Sequence, residues 1–409
     1  MSRVLLLNPP SPFLLDQAVF PPLSLLYLAA SLEEWGHEVK VVDLGLDDNW
    51  DHFDPHVIGI TGLTPHIPFL KEYVPALKRL HPDAKIIVGG PHFTNAPQDA
   101  RRLGADEVCV GDGEPAVLRS VMAPHLPVRR GVVNIDEWPR PARHLIDLHR
   151  YHYMVGGERG TPILTSRGCP FACRYCSKGM GTRPARYLAL DRVEEELSEL
   201  RVKGFGGLQV YDDEVNISTK RLVAVARLFN VYGFKWRAFV RSNLFTRRQA
   251  EAMADNGCVE VCCGVESGSD EILQAVDKKA TVADATRMVQ VAREVGLRVK
   301  AFLILGLPGE SEETAAATRE WLLRVRPDDF DIAVFTPYPG SHIHAHPTWY
   351  DINIEGSYWD VPYFHKGTPG QYKVVVSTSA LSALRIQELR DEIEFQVRNE
   401  LGLKQLGGE

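Results

Sequence analysis

A chain of 409 residues, 44% hydrophobic and 24% charged, is long for one hydrophobic core and suits two domains of an ordinary globular protein. Its net charge of −7 gives no general attraction to nucleic acid or anionic lipid, and neither is expected as a partner. The apolar runs Val4 to Leu7 and Leu23 to Leu32 stop at Pro9-Pro10 and Glu33-Glu34, far short of a bilayer span, and seven cysteines with three clustered are no disulfide framework, so a reducing cytoplasm is the expected compartment.

From the N-terminus, β-branched apolar runs alternate with helical patterns. Arg3 to Leu7, Glu38 to Val42, Val57 to Thr61, Ala84 to Val88 and Glu107 to Val110 read as strands; Leu23 to Trp35, Pro68 to Leu80 and segments after Thr94 and Glu114 read as helices. Five strands with crossover helices predict a Rossmann-like, doubly wound parallel sheet over residues 1–130. Ligands of such sheets bind beyond the carboxyl ends of the strands, here Asn8 to Pro12, Gly62 to His66, Gly89 to Phe93 and Gly111 to Glu114. No Gly-x-Gly-x-x-Gly follows the first strand, and paired glycines at strand ends are more often turn chemistry than a ligand cradle. His66 and His92 lie on these loops, where a surface or helix-capping role is the simpler reading.

Pro124, Pro127, Pro139 and Pro141 mark a crossing segment, taken as a linker over residues 131–160. Strand and helix then alternate again over 161–341, with strands expected at 162–166, 207–211, 236–241, 260–264, 299–305 and 332–335 and helices between them. Directly after the first of these strands comes Cys169-Pro-Phe-Ala-Cys173-Arg-Tyr-Cys176. Three thiolates on one loop select an iron-sulfur cluster, zinc or copper over a hard cation, and three ligands are one too few for a closed structural zinc site. The plain alternative is a packed loop or a degenerate zinc site.

The strand ends that follow are polar, as at the functional end of a β/α barrel. Tyr211-Asp212-Asp213-Glu214 sets carboxylates side by side, which calls for hydrogen-bonding partners, unless it is an exposed turn capping the next helix. Arg241-Ser242-Asn243 and Glu266-Ser267-Gly268-Ser269 suit a ribose or a carboxylate, though Ser269 also reads as an N-cap. Gly306-Leu307-Pro308-Gly309 leaves backbone groups for an adenine edge, and Pro337 to Ser341 closes the last strand. Cys109, Cys258, Cys262 and Cys263 read as core. In the C-terminal extension, residues 342–409, His342, His344 and His346 suggest a wet lip rather than a metal site. Tyr350, Tyr358, Trp359, Tyr363 and Phe364 read as a cover for the barrel mouth, and 380–400 as an outer amphipathic helix.

The cysteine loop, with Tyr175 just before its last cysteine, closely resembles the signature of the radical S-adenosylmethionine (SAM) enzymes. The resemblance implies a partial (β/α)6 barrel and a [4Fe-4S] cluster held by Cys169, Cys173 and Cys176, its fourth iron chelated by SAM. It further implies SAM contacts from Tyr175, Asp212, Asp213, Arg241, Asn243, Glu266 and Ser267, with adenine at Gly306, Leu307 and Pro308. Asn8-Pro9-Pro10, Pro21 to Ala29, Val88 to Thr94 and Gly111 to Glu114 look like the N-terminal cobalamin-binding domain of one radical SAM subgroup, which implies cobalamin contacts at Thr64, Gly89, Gly90 and Gly111. No Asp-x-His-x-x-Gly is present to supply a histidine to cobalt. The implied activity is SAM cleavage to a 5'-deoxyadenosyl radical, hydrogen abstraction from an unactivated carbon of a small molecule, and methylation from methylcobalamin, fed by an external reductant such as flavodoxin or ferredoxin. The alternative is a cobalamin-independent diol dehydratase or epimerase acting on a sugar or aminoglycoside. An electron-relaying cluster protein stands as a third reading.

Overall fold

The computed structural model of the chain describes residues 1–46, 49–50, 52–122, 134–178, 184–361 and 372–405. Two compact units emerge, one of residues 1–153, 177–192 and 357–362, the other of 154–176, 193–356 and 363–409.

The first unit is built on five parallel strands, β1 (Arg3–Asn8), β2 (Glu38–Asp43), β3 (Val57–Thr61), β4 (Lys85–Gly89) and β5 (Glu107–Val108), in the order β2-β1-β3-β4-β5. Side chains alternate across the pleat, so the two faces carry separate cores. Leu5, Leu7, Ile58, Ile60, Ile86 and Val88 pack toward helix α2 (Ile67–Leu80), while Val4, Leu6, Val39, Val41 and Ile87 pack toward α1 (Leu23–Glu34). Because β2 lies on one side of β1 and β3 on the other, the crossovers diverge there, and the ligand crevice of such a sheet opens between the carboxyl ends of β1 and β3.

Of the aromatics expected over the barrel mouth, Tyr350 stays in the second unit with its Oη 2.7 Å from His342 Nδ1, whereas Tyr358 and Trp359 pack in the first. Trp359 is buried in the first unit's core beside Ile67 and Leu70, the Arg102 guanidinium lies 3.8 Å from its ring centroid, and Lys71 pairs with Asp360 at 3.3 Å. An indole gains more from a closed apolar pocket than from a wet rim, which accounts for the difference. Tyr363 and Phe364 lie outside the described residues.

The second unit carries β6 (Met154–Val155), β7 (Glu158–Ile163), β8 (Gly207–Val210), β9 (Lys235–Val240), β10 (Cys258–Glu266), β11 (Arg298–Leu305) and β12 (Asp329–Val334). They form one sheet in chain order, parallel from β7 to β12, with β6 antiparallel to β7 at one edge. Strand β7 ends at Ile163 rather than 166 because Thr165 and Ser166 turn to bond Asp212. Ser218, Thr246 and Ser311 each cap the helix that follows a strand end, and Thr281 caps the second helix after β10, Val282–Glu294.

The last helix, Ala383–Leu401, does more than rest on the exterior. Arg390 Nε donates to Ile332 O at 3.0 Å and Arg398 Nη2 to Phe330 O at 2.6 Å, so buried arginines satisfy the outward carbonyls of edge strand β12. Glu394 pairs with both arginines, which keeps those cations from standing alone.

Candidate functional site

In the second unit the cysteine loop is fixed from below and from both flanks. Asp212 is buried and accepts from Thr165 N, Thr165 Oγ1 and Ser166 Oγ, each at 2.6 Å, while Asp213 accepts from Gly168 N at 2.9 Å. Burial raises the Asp212 carboxyl above its ordinary range, against those donors. Arg174 N donates to Val276 O at 2.9 Å, and Ile343 N to Arg174 O at 3.1 Å.

Cys169, Cys173 and Cys176 are free thiols, each half-buried. Among the described residues no three His, Cys, Asp or Glu side chains close on one point as round a single metal ion. A four-iron cluster takes each cysteine on a different iron, so its three sulfurs stand apart, and three soft donors on one braced loop fit it better than zinc.

Two cationic side chains back this loop. Arg241 Nη1 lies 3.7 Å from Cys173 Sγ, its guanidinium sits 3.8 Å from the Phe171 ring centroid, and its Nε donates to Asn243 Oδ1 at 3.0 Å. Its Nη2 is buried with no hydrogen-bond partner among the described residues. On the other side Lys278 Nζ donates to Glu266 Oε1 at 2.6 Å and Tyr175 Oη at 3.1 Å, and Tyr175 Oη donates to the same Glu266 oxygen at 2.8 Å. Burial opposes the Lys278 ammonium, but Glu266 and the Cys173 sulfur outweigh it and hold it charged. Burial and Glu266 push the Tyr175 phenol far up, so it remains a donor. Glu266 adopts φ +71° where β10 slips register against β11, a backbone cost of about 1–3 kcal/mol that its bonds to Lys278 and Tyr175 offset.

The structure thus draws Cys173, Tyr175, Arg241, Asn243 and Glu266 together, and adds Lys278. Sequence reasoning did not single out that lysine; the signal for it in sequence is its position on the loop that follows Glu266-Ser267-Gly268-Ser269. Ser267 turns away, its Oγ 3.4 Å from Thr318 Oγ1 and accepting from Ser269 N at 3.1 Å. Gly306 N donates to Glu310 Oε2 at 3.2 Å, while Leu307 and Pro308 are buried at the end of β11. Cys258, Cys262 and Cys263 are buried in β10, and Cys109 is buried in the first unit.

In the first unit Gly90 takes φ +99°, and a Cβ there would stand 2.8 Å from Thr61 Oγ1 and 3.0 Å from the Gly62 backbone, so only glycine lets these loops approach. Gly89 lies beside it against Cys109. Gly111, at φ +85°, has open space where a side chain would stand, and its N–H donates to Thr94 Oγ1 at 3.1 Å. His92 is not a surface residue, being 2% exposed with Thr64 Oγ1 3.0 Å from its Nδ1. His66 is equally buried, and burial lowers its pKa to about 4. Its Nδ1 accepts from Leu63 N at 3.2 Å, so the neutral ring carries its proton on Nε2 and offers cobalt no free lone pair there.

A braced three-thiol loop at the strand ends of a curled parallel sheet, preceded by a Rossmann-type sheet with open strand ends, defines a two-unit cofactor enzyme. The profile of the Radical SAM superfamily matches residues 163–322, and that of the B12 binding domain matches residues 17–119. An uncharacterized methyltransferase of Pyrococcus horikoshii is 30% identical over 83% of this chain and 82% of its own. The cytidylyl-2-hydroxyethylphosphonate methyltransferase of Streptomyces wedmorensis is 25% identical over 78% of this chain and 76% of its own. Among solved structures, the radical SAM methyltransferase TsrM of Kitasatospora setae, holding cobalamin and a [4Fe-4S] cluster, shares the fold with a TM-score of 0.72 at 19% identity, covering 98% of this chain and 89% of that one. The chain belongs to the radical SAM superfamily, in its cobalamin-dependent methyltransferase group. Its cofactors are accordingly a [4Fe-4S] cluster, SAM and cobalamin. Among the described residues no helix is long and apolar enough to cross a membrane.

Proposed function

We propose that the chain methylates an unactivated carbon of a small molecule, using one-electron cleavage of SAM at its cysteine loop. When bound, the cluster and SAM supply a 5'-deoxyadenosyl radical for hydrogen abstraction, and cobalamin supplies the methyl group. In this reading Cys169, Cys173 and Cys176 hold the iron, and Asp212 and Asp213 fix the loop through Thr165, Ser166 and Gly168. The carrying observation is the buried Arg241 Nη2, without a hydrogen-bond partner among the described residues, on the guanidinium whose Nη1 faces Cys173; it calls for an anionic group such as an amino-acid carboxylate. Lys278 adds a second buried cation on the Tyr175 side, and Glu266 balances it. Both keep their positions without solvent, so a bound amino acid meets preorganised charge. The dehydratase or epimerase alternative is not favoured, since the relatives described above are methyltransferases.

The test is anaerobic purification with a rebuilt cluster and hydroxocobalamin, followed by reduction in the presence of SAM. About one cobalamin per chain after desalting, together with 5'-deoxyadenosine, is expected. Formation of 5'-deoxyadenosine by a chain that retains no cobalamin would overturn methyl transfer and leave only the radical step.

A further inference from the structure

Thr64 is the first residue of the short helical turn after β3, at the crevice edge where the sheet's crossovers diverge. It is one end of a buried hydrogen-bonded chain that runs away from that edge. Thr64 Oγ1 lies 3.0 Å from His92 Nδ1, His92 Nε2 lies 3.1 Å from Asp99 Oδ2, and Tyr358 Oη donates to the same Asp99 oxygen at 2.7 Å. Thr64, His92 and Asp99 are 6%, 2% and 5% exposed, and the His92 ring is wedged edge-on between Phe93 and Tyr358 at centroid distances of 5.0 and 5.3 Å. Tyr358 comes from the C-terminal segment that Trp359 and Asp360 fasten to this unit.

The proton positions along this chain follow from one end. Burial and the Asp99 carboxylate push the Tyr358 phenol up, so it keeps its proton and donates. Asp99 Oδ2 accepts from Tyr358 and, on its other side, from His92 Nε2–H. With the His92 ring neutral and its proton on Nε2 toward Asp99, Nδ1 carries only a lone pair, and the Thr64 hydroxyl then donates to it. Once that hydroxyl proton is committed, the oxygen of Thr64 can only accept from anything in the crevice.

We infer that the relay Tyr358 to Asp99, His92 and Thr64 fixes Thr64 as a one-way hydrogen-bond acceptor that selects an amide N–H on the rim of the corrinoid, with His92, Asp99 and Tyr358 as positioning residues. This rests on the reading of the first unit as the cobalamin holder. A ring edged with primary carboxamides presents such N–H donors, whereas a corrinoid in which the contacting amide is hydrolysed to a carboxylate presents only acceptors and is rejected. The C-terminal segment therefore helps determine which corrinoid the N-terminal sheet takes.

The test has a readout in the protein alone and one with ligand. In 15N-histidine-labelled chain without cobalamin, His92, assigned by comparison with His92→Gln, should carry its proton on Nε2 at neutral pH. Asp99→Asn should reverse it, because the amide of Asn can donate to Nε2 and leave the proton on Nδ1. Hydroxocobalamin should bind Thr64→Val about five- to tenfold more weakly than wild type, the loss of one directed hydrogen bond. Tyr358→Phe, which keeps the ring and its packing, should weaken binding about two- to threefold. Preference for hydroxocobalamin over its monocarboxylic acid derivatives should fall in Asp99→Asn. A wild-type His92 protonated on Nδ1, or on both nitrogens, overturns the relay whatever is bound. A chain with the Nε2 proton that retains no cobalamin overturns the cofactor reading and the ligand role of Thr64, leaving the relay as an internal brace. Thr64→Val binding as wild type does, in a chain that retains cobalamin, overturns the acceptor role alone.

Discussion

The two candidate sites place polar groups out of water by opposite electrical means. Behind the cysteine loop the buried groups carry full charges, Lys278 against Glu266 and Arg241 with one donor unpaired among the described residues. At the strand ends of the Rossmann-type unit they are mainly hydroxyls and imidazoles: His66 accepts from Leu63 N, and Thr64 and His92 bond each other in front of the Asp99 carboxylate. The difference suits the ligands proposed for the two sites. An amino acid bears an ammonium and a carboxylate and needs charge to leave water, whereas a large corrinoid rimmed with amides needs orientation more than charge. It follows that substitutions in the second unit should cost more than equivalent ones in the first, since a stranded buried charge is far more expensive than a lost neutral bond.

The largest effect should come from the loop itself. Ser at Cys169, Cys173 or Cys176 is expected to abolish the visible absorbance of the cluster and all 5'-deoxyadenosine formation, while the first unit still retains cobalamin. Loss of cobalamin in the same variants would break the separation between the two sites. Retained SAM cleavage in any one of them would remove that cysteine from the ligand set.

Next in size is Lys278→Met, which leaves Glu266 buried without its cation and should cost about 3–5 kcal/mol. Replacing both partners, Lys278→Met with Glu266→Leu, should recover most of that stability in a thermal melt yet not recover SAM binding. A double variant that binds SAM as wild type does would reduce the pair to a structural element. By contrast His92→Gln in the first unit, which interrupts the contacts to Thr64 and to the Asp99 carboxylate but strands no cation, is expected to cost about 1–3 kcal/mol.

The third effect concerns pH, where the units should trend in opposite directions. Burial raises the Glu310 carboxyl from 4.5 to about 7, against donors from Thr314 and Gly306. The folded second unit therefore holds a proton that the unfolded chain releases, so this contribution is present below pH 4.5 and is lost as pH rises through 7. Its full size is roughly 3 kcal/mol. His66 is shifted the other way, from 6.5 to about 4, so its contribution to the first unit is present above pH 6.5 and is lost as pH falls toward 4. Hydrogen exchange, which reads each unit separately, should show slopes of opposite sign between pH 4.5 and 6.5. Glu310→Gln should flatten the first trend and His66→Asn the second. Slopes of the same sign would mean that other groups dominate.

How far these features could be read from residues alone depended on how local they are. The cysteine loop, the strand ends at Arg241 and Glu266 and the alternation of strands are short-range patterns, and all reappear in the fold. Lys278 was not legible, because its burial depends on a bulge in β10 and on a loop in which Asp277 and Lys279 take positive φ. The acidic run at Asp212-Asp213 was legible as carboxylates needing partners, but not that Thr165, Ser166 and Gly168 would be those partners. Arg390 and Arg398 looked like the polar face of an amphipathic helix, since periodicity cannot show that the open carbonyls of β12 lie opposite them. Tyr358 and Trp359 stand more than 250 residues from Asp99, and no local pattern reports such a contact.

The smallest effect expected in the second unit is also the most specific. Arg241→Lys keeps a cation near Cys173 but loses the planar fork, so it can no longer bond Asn243 through one arm and present Nη2 with another. SAM should bind about tenfold more weakly, close to 1.4 kcal/mol, with cluster content unchanged. Arg241→Gln removes the charge as well and should lose more. The comparison with Thr64→Val then becomes direct, because each variant removes one proposed ligand contact from an otherwise intact site. If Arg241→Lys instead loses iron while the remaining clusters bind SAM normally, the guanidinium acts on Cys173 and the stacked Phe171 rather than on a carboxylate, and among the described residues behind the cysteine loop Lys278 is left as the buried cation to receive one.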